Sequence, residues 1–324
     1  MSEATCLKGS HLSIGENLIM KQFEMMVGLD EKDAFEGWFC KIDDRENGLI
    51  LSIIWGYSTS KNSKHAFIQF QSSLKHDTAY IAYPIDDLKW KTDPFVLGIG
   101  KNEISQTGMI LDFVMDGIPV RGSFSFGSFD LINQSILKPN IMGLLTYFPN
   151  ECNHSIISMH HKVNGHLQIG SQSWNMRDAV GYMEKDWGTG FPKEYVWVQA
   201  NDWENSSVVF SYATVPMLGR YAKGFFLVLH HDGKEYRFSS IEGSKLIDFH
   251  VSNDSFVATI EKKRIQITLK AKQSNPVSLV SPENGEMKSH IKESLDGTIE
   301  LTLEIKGQTV VTLASQRASI DVHY

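Results

Sequence analysis

The sequence predicts an all-β protein built as two successive antiparallel β-barrels or β-sandwiches with few short helices. Aromatic residues are plentiful, with 18 Phe, 10 Tyr and 7 Trp in 324 residues, and many alternate with polar residues at the period of two that a half-buried strand requires. Turn signals such as Asp43-Asp44, Gly48, Asp116-Gly117 and Asp232-Gly233 break the chain into short segments, at the spacing of roughly 8–12 residues that barrels and sandwiches show. Apart from short patches, no apolar pattern of helical period interrupts them.

Taken in order, residues 1–34 read as a leader with one short helix-like patch at Leu18, Ile19, Gln22, Phe23, Met25 and Met26. A first domain over 35–150 follows, with strands near 36–42, 49–57, 64–72, 77–83, 95–99, 108–115 and 119–126. The stretch 133–150 carries Pro139-Asn140, Gly143 and Pro149 without a clear hydrophobic period, which places the domain junction there. The second domain, 151–324, resumes with strands near 154–162, 165–169, 178–187, 195–202, 206–214, 223–231, 234–241, 245–251, 255–261 and 264–270. Asn164-Gly165, Asp232-Gly233 and Asn253-Asp254 are hairpin signals. A short amphipathic helix is expected at 286–295, ended by Asp296-Gly297, and then strands near 298–305, 308–314 and 318–323. The halves share no clear sequence repeat, so any duplication is structural.

Bulk properties narrow the partners. A net charge of −7 without a clustered Lys/Arg stripe argues against nucleic acid and favours a neutral or apolar small molecule. Cys6, Cys40 and Cys152 are odd in number and lack metal or redox spacing, which suits a reducing, cytoplasmic compartment. The opening segment has no signal-peptide core, and no run of about 18 apolar residues is long enough to span a bilayer. Transient contact with a membrane surface is compatible with this composition.

Chemistry concentrates in 181–201. If the strand holds through Trp187, Glu184 and Asp186 share the face of Tyr182, and Lys185 shares that of Met183 and Trp187. A carboxyl in an aromatic-walled pocket loses hydration, so its pKa rises and it can donate a proton near neutral pH. The structural alternative is a Glu184–Lys185 ion pair at a barrel rim with Asp186 capping a turn. Tyr195, Trp197, Gln199 and Asn201 form one face of the next strand and Val196, Val198 and Ala200 the other, so an aromatic and amide wall backs onto an apolar core. Glu36 and Trp38, on one face of Phe35-Glu36-Gly37-Trp38-Phe39, either line the same pocket or fill a barrel core.

His154, His160, His161 and His166 resemble a metal cluster by count, but His160 and His161 must point to opposite faces and no acidic partner sits at ligand spacing in the sequence, so no metal site is expected. His154, beside Asn153, is the candidate proton carrier. The chain has no P-loop, no Gly-X-Ser-X-Gly elbow and no His-Glu-X-X-His, and Gly98-Ile99-Gly100 lacks the third glycine of a dinucleotide site. Asp43-Asp44 and Asp86-Asp87 lack the later aspartate needed to hold magnesium and a diphosphate. Any prenyl chemistry would start by protonation.

Three motifs in register resemble the tocopherol cyclase family: Phe35-Glu36-Gly37-Trp38-Phe39; Glu151-Cys152-Asn153-His154 leading to Ser158-Met159-His160-His161; and Tyr182-Met183-Glu184-Lys185-Asp186-Trp187-Gly188 to Phe191-Pro192, with Trp197-Val198-Gln199-Ala200-Asn201. The similarity runs in order from about residue 35 to the C-terminus. It implies two lipocalin-like β-domains and, in plant and cyanobacterial members, closure of a prenylated hydroquinone to a chromanol without a cofactor. It further implies Glu184 or Asp186 as the acid, Trp38, Trp187 and Trp197 as cation-stabilising walls, and Asn201, Gln199 or His154 as groups that orient the phenol. Glu36, Asn153 and Lys185 complete the expected substrate-binding set. Asp186 stands where the plant motif carries Asn, Phe39 stands in place of Tyr, and the plastid transit segment is missing. The alternatives are a lipid or quinone carrier with the same fold and no turnover, and a scaffold whose aromatic face packs against the other barrel.

Overall fold

A computed structural model describes residues 23–135, 138–147, 150–217 and 220–324. Leu18, Ile19 and Gln22 of the expected leader helix lie outside these residues, and 23–34 form turns and bends rather than a helix. From Phe35 onward the fold is all β. The first sheet takes β1 (Phe35–Asp44), β2 (Leu49–Ser58), β3 (His65–Ser72), β4 (Asp77–Pro84), β5 (Leu88–Thr92), β6 (Phe95–Ile99), β7 (Asn102–Ser105), β8 (Gly108–Met115), β9 (Ile118–Phe126), β10 (Cys152–Ile169) and β11 (Gln172–Gly188). The second takes β12 (Tyr195–Ala200), β13 (Ser206–Met217), β14 (Arg220–His231), β15 (Lys234–Ser239), β16 (Lys245–Val251), β17 (Ser255–Lys262), β18 (Ile265–Lys272), β19 (Val277–Glu283), β20 (Glu286–Ile305) and β21 (Gln308–His323).

Strand order shows why each sheet rolls up. The first runs β4-β3-β2-β1-β11-β10-β9-β8-β7-β6-β5 and the second β15-β14-β13-β12-β21-β20-β18-β17-β16, with β19 paired to β20. In each, the two edge strands are consecutive in the chain, joined only by the short 3-10 turns Ile85–Asp87 and Ser240–Glu242. Strands so close in sequence can lie at opposite edges only if the sheet curls until those edges approach. Both halves therefore repeat one plan, a four-strand meander followed by a return that pairs the last strand with the first.

Several expectations change. The sheets divide between Gly188 and Tyr195 rather than at 150, because β10 and β11 hydrogen-bond into the first sheet, β11 to β1. Asn164-Gly165 is no hairpin; it lies inside β10, where the register slips between Val163 and Gly165. The helix expected at 286–295 is the start of β20, whose pairing with β19 overrides local preference. In that segment Ile291, Glu293 and Leu295 are buried at a spacing of two. Strands β5, β7 and β19 are too short or too polar to stand out in the sequence.

Three cores result. One fills the first barrel around Trp38, Trp55 and Phe70, and another fills the second around Val196, Val198, Phe210 and Ile320. The third lies between the barrels and joins Phe39, Tyr182, Tyr195, Trp197 and Phe226. Polar ties cross the same layer: Lys41 Nζ donates to Arg317 O at 2.7 Å, and Arg317 pairs with Asp43 at 2.6 Å. Among the described residues no helix is long and apolar enough to cross a membrane.

Candidate active site

The site is built on β11, which lies between β1 and β10 in the middle of the first sheet. Period-two alternation sends Met183, Lys185 and Trp187 to one face and Tyr182, Glu184 and Asp186 to the other. The first face packs into the first barrel; the second meets the interlayer. At the end of the strand Gly188 has φ of 150°, and a Cβ there would lie 2.2 Å from Glu151 O, so only glycine lets the two backbones approach. Register then brings partners to the acidic face. Asp186 stands opposite His154 of β10 and Gly37 of β1, and Glu184 opposite Phe39.

His154 bridges the two carboxylates. Its Nδ1 lies 2.8 Å from Asp186 Oδ1 and its Nε2 3.3 Å from Glu184 Oε2. Tyr182 Oη donates to Glu184 Oε2 at 2.5 Å, and the imidazole stacks on Phe226 at 5.0 Å. Burial raises the Glu184 carboxyl to about 7, with the His154 charge opposing the rise and Asp186 adding to it. Burial by itself would lower His154, but Glu184 and Asp186 outweigh it and lift the imidazole to about 9. The site thus pairs a carboxyl that burial shifts toward its protonated form with an imidazole that two carboxylates shift toward its charged form.

These side chains border a partly open cavity of about 240 Å³ between the barrels. Phe35, Phe39, Ile54, Phe67, Trp197 and Phe226 make much of its wall. Phe39 meets Trp197 edge-on at 5.5 Å and Tyr182 at 6.4 Å, so three π systems converge beside Glu184. Ligand atoms of His154, Glu184 and Asp186 fall within 4.8 Å of one another, a spacing that can hold a cation. The carboxylates bracket opposite ring nitrogens, so an ion could take only one nitrogen and would leave the other paired with its carboxylate.

The expected set divides sharply. Glu184, Asp186, His154 and Trp197 line the cavity. Glu36, Trp38, Lys185 and Trp187 sit on the opposite face, inside the first barrel, because alternation turns them away. Lys185 Nζ pairs with Glu36 Oε1 at 2.9 Å and lies over the rings of Trp38 and Trp187 at 5.3 and 4.9 Å, so those indoles surround a lysine rather than a ligand cation. Asn153 is taken up by Asn150 and the Trp187 carbonyl. Asn201 donates to Gly181 O at 2.9 Å, and Gln199 is buried beyond the cavity.

Sequence reasoning missed Glu293 and Asp321, which line the opposite wall with Tyr195. An aspartate between Ile320 and Val322 was a readable signal, since its neighbours must face a core. Glu293 was hidden by the helix assignment.

Known proteins set this geometry in context. A probable chloroplastic tocopherol cyclase of Oryza sativa subsp. japonica is 28% identical over 80 residues, which span 23% of this chain and 17% of the rice protein. An AttH-designated protein from Nitrosomonas europaea superposes over 99% of both chains with a TM-score of 0.53 at 11% identity. Kievitone hydratase from Nectria haematococca covers 89% of this chain and 88% of its own, with a TM-score of 0.50 at 9% identity. Both likenesses concern the fold of paired, lipocalin-like β-barrels. Residues 123–323, which carry His154, Glu184, Asp186 and the whole second sheet, match the tocopherol cyclase-like family model, and the chain belongs to that family.

Proposed function

We propose that the interlayer cavity binds a prenylated hydroquinone or a related isoprenoid phenol and that Glu184 starts its ring closure to a chromanol. The observation that carries this reading is the Glu184 carboxyl, held between Tyr182 and His154 at the edge of an apolar, aromatic-walled cavity. Neutral Glu184 delivers its proton to the less substituted carbon of the first prenyl alkene, leaving a tertiary cation. The neighbouring phenol oxygen adds to that cation, and its proton returns to the Glu184 carboxylate, so atoms and electrons balance without an oxidant or reductant. His154, charged between Asp186 and Glu184, keeps the carboxyl in register, and the rings of Phe39 and Trp197 on the cavity wall face the developing positive charge. The apolar, aromatic wall favours capture by the adjacent phenol over hydration.

Purified protein incubated with geranylhydroquinone in D2O should yield the chromanol with one deuterium at the carbon that Glu184 protonates. Glu184→Gln should slow conversion by roughly 10²–10⁴-fold while leaving binding in place. Binding by wild type without conversion would identify a carrier instead. Failure to bind would remove the pocket assignment itself.

A further inference from the structure

We propose that Glu293 and Asp321 form a second recognition point of the cavity, their carboxyl groups holding the ligand hydroxyl that takes no part in ring closure. This rests on the phenolic reading above and adds to it which hydroxyl is recognised, and where. The two residues are register partners on β20 and β21, and Asp321 is also the register partner of Trp197 on β12, so three adjacent strands set one wall. Ile320 and Val322 pack into the second barrel, which turns Asp321 toward the interlayer. Glu293 shares its face with Ile291 of the interlayer core.

Both side chains are more than nine-tenths buried, with relative exposures of 3% and 6%. Tyr195 Oη donates to Asp321 Oδ2 at 3.3 Å. Among the described residues, Glu293 Oε1 and Asp321 Oδ1 have no hydrogen-bond partner, although both residues line the cavity. Buried carboxyl oxygens left unmatched within a protein point to a partner from outside it. Burial raises both groups, Asp321 to about 8 and Glu293 well above its ordinary value, with Lys41 opposing the rise on the Glu293 side and Glu184 adding to both. Such a pair can both donate to and accept from a hydroxyl.

The test compares geranylhydroquinone with its monomethyl ether at the hydroxyl remote from the geranyl chain, by isothermal titration calorimetry. The ether should bind wild type roughly tenfold more weakly, the loss expected for one hydrogen bond to a buried acid. Asp321→Leu, or Glu293→Met should the first fail to fold, should bind the two compounds equally. Equal binding by wild type, or a penalty that persists in the variants, overturns this inference and leaves the cavity reading standing. No binding of geranylhydroquinone overturns both. The wild-type comparison needs no variant, so it decides even if neither substitution folds.

Discussion

Glu184 and Lys185 are neighbours in the chain and both are buried, yet they serve two different clusters on opposite faces of β11. On the barrel face the charges are sealed and saturated. Lys185 meets Glu36 and the Glu24 carbonyl, and Glu36 also accepts from Met26 N and Val27 N at 2.9 Å and from Tyr57 Oη at 2.6 Å. This cluster ties residues 23–34 to the end of the first barrel, and Trp38 Nε1 reinforces the tie by donating to Phe23 O at 2.9 Å. On the interlayer face Glu184 and Asp186 border a cavity, and across it Glu293 Oε1 and Asp321 Oδ1 have no hydrogen-bond partner among the described residues. Burial of charge is common to both faces; what separates a fastening from a candidate catalytic group is spare hydrogen-bonding capacity with space beside it.

The largest effect should come from breaking the sealed cluster. Lys185→Met strands the Glu36 carboxylate in the core and should destabilise the protein by about 3–5 kcal/mol, whereas Glu36→Met with Lys185→Met should recover most of that loss in denaturant titrations. Recovery to no extent would mean that Lys185 acts chiefly through its packing against Trp38 and Trp187.

The interlayer face should dominate the pH response. Glu184 and Asp321 have native pKa values raised by burial to about 7 and about 8. The folded protein therefore keeps protons that the unfolded chain has released, and their contribution to stability is complete below about pH 4 and lost as pH rises through 7 and 8. His154, lifted to about 9 by its two carboxylates despite burial, runs the same way, its contribution complete below about 6.5 and lost through 9. Stability should fall from pH 6 to 8, and a flat profile in thermal melts would refute the buried-acid assignment.

Glu184→Gln keeps the shape of the side chain and should change stability at pH 7 by less than about 1 kcal/mol, in contrast to its effect on turnover. A loss as large as that of Lys185→Met would make Glu184 a structural group. The smallest effect belongs to the exposed Lys162–Asp178 pair, at 3.1 Å with 66% and 68% side-chain exposure. There Lys162→Ala should alter chemical stability by no more than about 0.5 kcal/mol, which sets the baseline for a solvated ion pair.

Much of the architecture was legible because a strand announces itself locally. The faces of 182–187 and of 195–201 follow from alternation alone, and the structure places Val196, Val198 and Ala200 in the second barrel core as that pattern requires. Long-range pairing was less legible. The β20 segment reads locally as a helix because nothing in 286–295 reveals that β19 and β21 flank it, and a helical reading hides the inward face of Glu293. Grouping Glu36, Trp38 and Lys185 with the pocket failed for a related reason, since all three belong to the correct motifs but to the other face.

The amino-acid sequence by itself determined the all-β class, the alternating faces and the candidacy of His154, Glu184 and Asp186, because side-chain direction along a strand is a local property with a period of two. Only the tertiary structure decided that the cavity lies between the barrels, that Lys185 is locked while Glu184 borders open space, and that Glu293 and Asp321 complete the opposite wall. Those outcomes depend on which strands pair and how two rolled sheets pack, and that is set by contacts between residues far apart in the chain.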